Sequence, residues 1–227
     1  MQDHHDGESG FVAIPGVRLA YDSAGQGAVV LFLNGGLLDR RQWDGQFTFF
    51  AQDNRAIRYD MRSSGESETM PSSDPFTHHE DLFRLLQSLR IDRVSLVGLS
   101  NHAVALDFAI AYPAMVEKMV LVSPGLRGYE YRDTWVGARF GAMMAALREQ
   151  DLGSAVEIFL TMWVDGPNRT PADVNAQVRE QVREMAARAL RLSRLAPNCT
   201  GLDPPAIGRL SEVGAPALIV LGAILFT

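Results

Sequence analysis

Short, nearly continuous apolar runs recur along this chain, at Val29 to Leu33, Ala56 to Tyr59, Val94 to Val97, Met119 to Val122 and Ala217 to Leu221. A strand with one wet face alternates apolar and polar residues, whereas a strand buried on both faces reads as an apolar run. Between the runs lie stretches with helical spacing, such as Leu82, Leu85, Leu86 and Leu89. The pattern is strand–helix–strand, and it predicts an α/β fold with a mostly parallel sheet flanked by helices.

Several local signals refine this. Phe11 to Ala13 and Val17 to Asp22, joined by Pro15-Gly16, predict a hairpin. Thr77 and Glu80 have the spacing of a helix-capping pair. His78 and His79 fall in that first turn; adjacent helical positions point about 100° apart, so the two do not converge on one metal. They read as solvent or helix-edge residues. After Ser123-Pro124-Gly125 the alternation stops, and from about Arg132 to Leu195 the sequence is helical: Gly141 to Glu149, Ala155 to Val164 and Val174 to Leu192, with a break at Asp165-Gly166-Pro167 and a helix start at Thr170-Pro171-Ala172-Asp173. The expected organisation is a disordered start over residues 1–10, an α/β core over 11–126, a helical cap over 127–203 and a return to the core over 204–227.

Composition excludes several classes. At 227 residues, 47% hydrophobic and 21% charged, the chain suits one large α/β domain. A formal net charge of −6 without basic clusters argues against a nucleic-acid partner. The longest apolar run, Ala215 to Phe226, falls short of the ~20 residues that span a bilayer, and no membrane association is expected. The only cysteine, Cys199, cannot form an internal disulfide, which points to a cytoplasmic setting. It reads as an inert loop residue. No cofactor is expected: Gly25-Gln26-Gly27 precedes a strand rather than a helix, and no Cys or His cluster has metal spacing.

The chemistry-bearing segment is Val94-Ser95-Leu96-Val97-Gly98-Leu99-Ser100-Asn101-His102, an apolar strand running into Gly-x-Ser and then a helical stretch. A serine on a sharp strand-to-helix turn presents its hydroxyl as a nucleophile. Two further segments follow buried strands: Leu33-Asn34-Gly35-Gly36, and Tyr59-Asp60-Met61-Arg62-Ser63-Ser64-Gly65-Glu66-Ser67. In this order the three resemble the α/β-hydrolase family over about residues 10 to 222, with an inserted helical cap between Gly125 and Pro204.

That resemblance implies Ser100 as catalytic nucleophile and the backbone N–H groups of Gly36 and Asn101 as oxyanion hole. It further implies a small carboxylic ester, lactone or related acyl compound as substrate, in the serine esterase and lactonase branch; epoxide hydrolases and haloalkane dehalogenases of this fold carry a carboxylate at the elbow instead. Asn34 and, in the cap, Trp135, Met143, Met144, Met162 and Trp163 are candidates to line the acyl pocket, though Met and aromatic residues on helices are more often plain core.

Departures accompany the likeness. Asn34 stands where the family commonly has histidine, and it is expected to hydrogen-bond neighbouring loops. His102 stands at the elbow's second glycine; two helical positions from Ser100 it points away, so it reads as a packed residue rather than the base. Glu130 and Asp133 follow a strand after which some members carry their acid, but they read as residues leading into the cap. The acid expected after Gly222 and the histidine beyond it are absent from Ala223 to Thr227. The expectation is therefore a truncated chain or a changed reading frame, lacking the last strand–helix unit, with a disabled triad. The free edge left at Ala217 to Leu221 predicts homo-oligomers or edge-strand association. Two other readings stay open: a non-catalytic pseudoenzyme or binding protein on the same fold, and a purely structural fragment.

Overall fold

A computed structural model describes residues 7–100, 104–130 and 132–222. The sheet opens with the expected hairpin, β1 (Glu8–Ile14) antiparallel to β2 (Val17–Ala24), turning at Pro15-Gly16 where Gly16 has φ 78°. β1 begins at Glu8, which pairs with Ser23, so residues 8 to 10 belong to a strand rather than to a disordered start. The Ser9 hydroxyl donates to Asp22 and the Tyr21 hydroxyl to Glu8, side-chain bonds that fasten this polar stretch.

Four parallel strands follow: β3 (Val29–Leu33), β4 (Arg55–Tyr59), β7 (Val94–Leu99) and β8 (Val116–Val122), with β10 (Ala217–Val220) joining them. Two-residue strands intervene, β5 (Glu68–Thr69), β6 (Phe76–Thr77) and β9 (Cys199–Thr200). The order is β1-β2-β4-β3-β7-β8-β10, so the sheet is mixed: antiparallel at β1, β2 and β4, parallel from β4 onward. β9 pairs with β6 in a separate ladder, so Cys199 lies in a strand, not a loop.

Alternate residues of β3 explain why its sequence is apolar throughout. Leu31 and Leu33 enter the core beneath α2 (His78–Ser88) and α3 (Val104–Ala111), whereas Val30 and Phe32 pack on the other face with Trp43, Phe47 and Phe50 of the segment around α1 (Asp44–Phe50). The Thr77 side chain caps α2 by accepting from the Glu80 N–H at 3.2 Å. α3 is buried along Val104–Ile110, which its all-round apolar sequence requires.

Between β8 and β9 runs a helical insertion: α4 (Thr134–Arg148), α5 (Leu152–Leu160), a π-turn (Thr161–Asp165) and α6 (Ala176–Leu192). Asp133 is the N-cap of α4, its carboxylate accepting from the Val136 N–H at 2.8 Å, which starts that helix earlier than the spacing from Gly141 predicts. Thr170-Pro171-Ala172-Asp173 forms only a 3-10 turn; the long helix starts later because Asn175 accepts from the N–H groups of Gln177 and Val178. The insertion has its own core, with Met143, Val156, Phe159, Leu160 and Leu190 buried together. Among the described residues no helix is long and apolar enough to cross a membrane.

One strand departs from its apolar text. β10 lies at the sheet margin with every residue exposed, Leu218 at 60% and Ile219 at 58%, rather than buried on both faces.

Candidate active site

Ser100 sits immediately after β7 with φ 51°, in the left-handed region that a non-glycine residue enters only at a cost. Neighbouring loops enforce it: the Ser100 N–H donates to the Val122 carbonyl at 2.9 Å and the Ser100 carbonyl accepts from the Gly125 N–H at 2.9 Å. The residue is exposed, above an apolar cavity lined by Leu33, Leu99, Val104, Leu106, Leu121 and Pro124. Gly98 also lines it; an added Cβ there would already touch the Ala105 side chain at 3.5 Å, so a larger residue would push α3 off the strand. Asn101 and His102 lie outside the described residues.

The loop after β3 supplies the second wall. The Asn34 side chain is buried and donates from Nδ2 to the Leu38 carbonyl at 2.5 Å, a bond within its own loop rather than to the neighbouring loops expected of it. The Gly35 N–H donates to Gln42 Oε1 at 2.9 Å, and the Leu38 N–H to the Gly35 carbonyl at 3.1 Å. Among the described residues none accepts from the Gly36 N–H, and the space where a Gly36 side chain would stand is open.

The loop after β4 is held by charge. Arg62 makes a bidentate pair with Asp81 at 2.9 and 2.8 Å and donates to the Pro15 carbonyl. Arg40 joins Asp60, Asp22 (2.9 Å) and Glu66 (2.5 Å). The Ser67 hydroxyl donates to the Asp60 carbonyl at 2.6 Å and accepts from the Ala20 N–H at 3.0 Å. Burial raises the pKa of Asp60 and of Asp81 despite their arginines. Burial opposes the shift at Asp22, yet the Ser9 hydroxyl and then Arg40 and Arg58 hold its carboxyl below the ordinary value. The Asp60-to-Ser67 segment is thus a clamp, and none of its side chains lines the Ser100 cavity.

The other candidates fall elsewhere. Met162 is 3% exposed, Trp163 is 60% exposed, and Trp135 stacks against the Arg139 guanidinium at 3.8 Å; none of the three lines the cavity at Ser100, whose walls come from the sheet, α3 and Pro124. Glu130 pairs with Arg132 at 3.2 Å. His78 packs edge-on against Phe76, and His79, half-buried, has a pKa lowered by desolvation. Cys199 is exposed, and desolvation raises its thiol pKa despite a basic neighbour, Arg127, invisible in the sequence. Among the described residues no group of His, Cys, Asp and Glu could hold a metal ion. Arg40 and Asp81 went unnoticed in the sequence. Asp81 had a signal, a carboxylate adjoining the buried stripe at Leu82 and Leu85; Arg40 had none, since its partners are 18 to 26 positions away.

A mostly parallel sheet flanked by helices, with a strained serine between a central strand and its following helix, defines the α/β-hydrolase class. The model of the alpha/beta hydrolase family matches residues 30–224, and the chain belongs to that family. Epoxide hydrolase 1 of Siraitia grosvenorii is 33% identical over 120 residues, covering 51% of this chain and 38% of the relative. The 2-hydroxy-6-oxo-6-phenylhexa-2,4-dienoate hydrolase of Comamonas testosteroni is 32% identical over 112 residues, covering 46% and 39%. The alignments therefore span well under half the length of these curated relatives. A hydrolase from Pseudomonas aeruginosa PA01 superposes with a TM-score of 0.74 at 25% identity, covering 96% of this chain and 81% of that one.

Proposed function

We propose that the chain is a serine-type hydrolase of small carboxylic esters, lactones or related acyl compounds. The observation that carries this reading is Ser100 itself, forced to φ 51° and exposed at the strand-to-helix turn. In the proposed reaction Ser100 Oγ attacks the substrate carbonyl and gives its proton to solvent, the tetrahedral adduct collapses with loss of the alcohol, which takes a proton from solvent, and water hydrolyses the acyl-serine that remains. The N–H groups of Gly36 and Asn101 stabilise the oxyanion, donors typically worth roughly 3–4 kcal/mol each. The open space beside Gly36 supports that role. The helical insertion acts as the cap. The relative named an epoxide hydrolase does not redirect the proposal, since a serine rather than a carboxylate stands at the turn.

No histidine or carboxylate is among the described residues lining the cavity. This favours a second reading, a non-catalytic binding protein on the hydrolase fold, and it sets the expected rate. Oxyanion donors and binding alone leave a residual acceleration of ~10³ over water. Hydrolysis of p-nitrophenyl acetate by the chain beside Ser100→Ala decides. Turnover above that residual which the substitution brings down to it supports the hydrolase; equal rates in the two chains leave the binding protein.

A further inference from the structure

We propose that Leu37 is a positioning residue that locks the Gly36 loop to the helical insertion, so that the two move as one unit. The inference rests on the reading of Gly36 as an oxyanion donor only for its catalytic consequence; the mechanical coupling stands on contacts alone.

Leu37 follows Gly36 directly and has φ 61°. A branched residue stays in the left-handed region only where its surroundings over-determine it. The hydrogen bonds of this loop act on its neighbours: Asn34 holds the Leu38 carbonyl, the Leu38 N–H returns to Gly35, and Gln42 holds the Gly35 N–H. What engages Leu37 is packing. Its side chain and that of Leu38 lie against the buried cluster that includes Met143, Val156, Phe159, Leu160 and Leu190, contributed by α4, α5 and α6. Two polar contacts run the same way. Arg41, on the same loop, faces Glu184 of α6 at 3.8 Å, and Arg188 of α6 donates to the carbonyl of Gly65 in the neighbouring loop.

The left-handed turn at Leu37 fixes where the Gly36–Leu37 peptide unit points, and the Gly35–Gly36 unit that carries the Gly36 N–H is joined directly to it at the Gly36 Cα. Burial of the Leu37 side chain depends on helices that belong to the insertion, not to the sheet. A shift of α5 or α6 would therefore be felt at Gly36 before it is felt at Ser100, whose backbone is tied to Val122 and Gly125.

The test is amide hydrogen exchange on the full chain with three variants. Leu37→Gly removes the packing and permits the φ, Leu37→Met keeps an apolar side chain, and Phe159→Ala perturbs the cluster from α5. Leu37→Gly and Phe159→Ala are expected to speed exchange from Gly36 to Gln42 at least tenfold with α2 and α3 unchanged, and Leu37→Met is expected to restore slow exchange. Loop exchange unchanged in Phe159→Ala overturns the coupling, and so does a loss of protection spread evenly over the sheet. Where p-nitrophenyl acetate turnover depends on Ser100, Leu37→Gly should lower kcat about tenfold with KM within twofold. Absence of Ser100-dependent turnover defeats the hydrolase reading while the exchange result still decides the coupling.

Discussion

The loops flanking Ser100 on its two sides are built in opposite ways. On the β3 and β4 side, charges and hydrogen bonds interlock: Arg40 binds three carboxylates, Arg62 grips Asp81, and Asn34 pins its own loop. On the β8 and β10 side, the loop after β8 turns through Ser123 at φ 43°, whose N–H donates to the Val220 carbonyl at 2.8 Å. Its nearest charge pair, Arg127 with Asp107, is 3.5 Å apart, and burial raises the Asp107 pKa. Beyond it β10 is exposed. One half of the site is preorganised by polar bonds; the other half depends on backbone ladders.

The largest expected effect tests the clamped side. Arg62→Ala leaves the buried Asp81 carboxyl without its bidentate partner, and breaking such a pair costs about 3–5 kcal/mol. The raised pKa of Asp81 keeps the loss near about 3 kcal/mol, because the carboxyl can take a proton instead. Arg127→Ala on the other side also leaves a buried carboxyl, Asp107, but removes a longer contact from an arginine that is 29% exposed, and is expected to cost less, about 1–2 kcal/mol. Urea midpoints of the two variants check this, and equal losses would dissolve the contrast between the sides.

Asp22 sharpens it through pH. Its folded pKa is lowered, so the stability it contributes is present above the unfolded value near 4 and is lost as pH falls through the folded value. Asp60 has the opposite sign: its raised pKa means that its contribution is present below the unfolded value and fades as pH rises through the folded one. Asp22→Asn should thus be less stable than the parent by about 1–2 kcal/mol at pH 6, with the gap closing below about pH 4. Thermal unfolding across that range gives the answer; a gap that widens in acid would mean that Asp22 is not held charged by Ser9 and Arg40.

How much of this was legible follows from the range of each interaction. β3, β4 and β7 declared themselves because burial on both faces demands apolar text. The strained serine was legible because Gly98-Leu99-Ser100 sits between a strand and a helix pattern. β8 begins at Val116, earlier than the apolar run, because Glu117 and Lys118 are exposed positions in it. The Arg40 network was hidden, since its partners converge only once β2, β3 and β4 are paired. Asp133 read as a residue leading into the cap rather than as a displaced acid, but its role as the N-cap of α4 was not legible because one hydrogen bond decides it. The acyl-pocket residues were not legible for a related reason: an apolar helix residue can face a cavity or its own bundle, and Met162, buried and away from the cavity at Ser100, fits the plain-core alternative.

The smallest effect on folding belongs to the bare edge. Among the described residues β10 has one hydrogen-bonded neighbour, β8, and its residues from Ala217 to Val220 carry no charge. Natural edges are guarded by lysine, proline or bulges, and an unguarded apolar edge templates another strand. Ile219 is exposed, so Ile219→Lys removes little buried surface and should leave unfolding within about 0.5 kcal/mol of the parent. It should nevertheless reduce self-association, read as a shift toward the monomer in sedimentation velocity, because a lysine in the strand raises the cost of edge-to-edge pairing. A parent that sediments as a monomer at every concentration would show that the edge is guarded by something other than its own side chains. A variant that unfolds several kcal/mol more easily would place Ile219 in a packed layer, and the two sides of Ser100 would then differ in chemistry but not in burial.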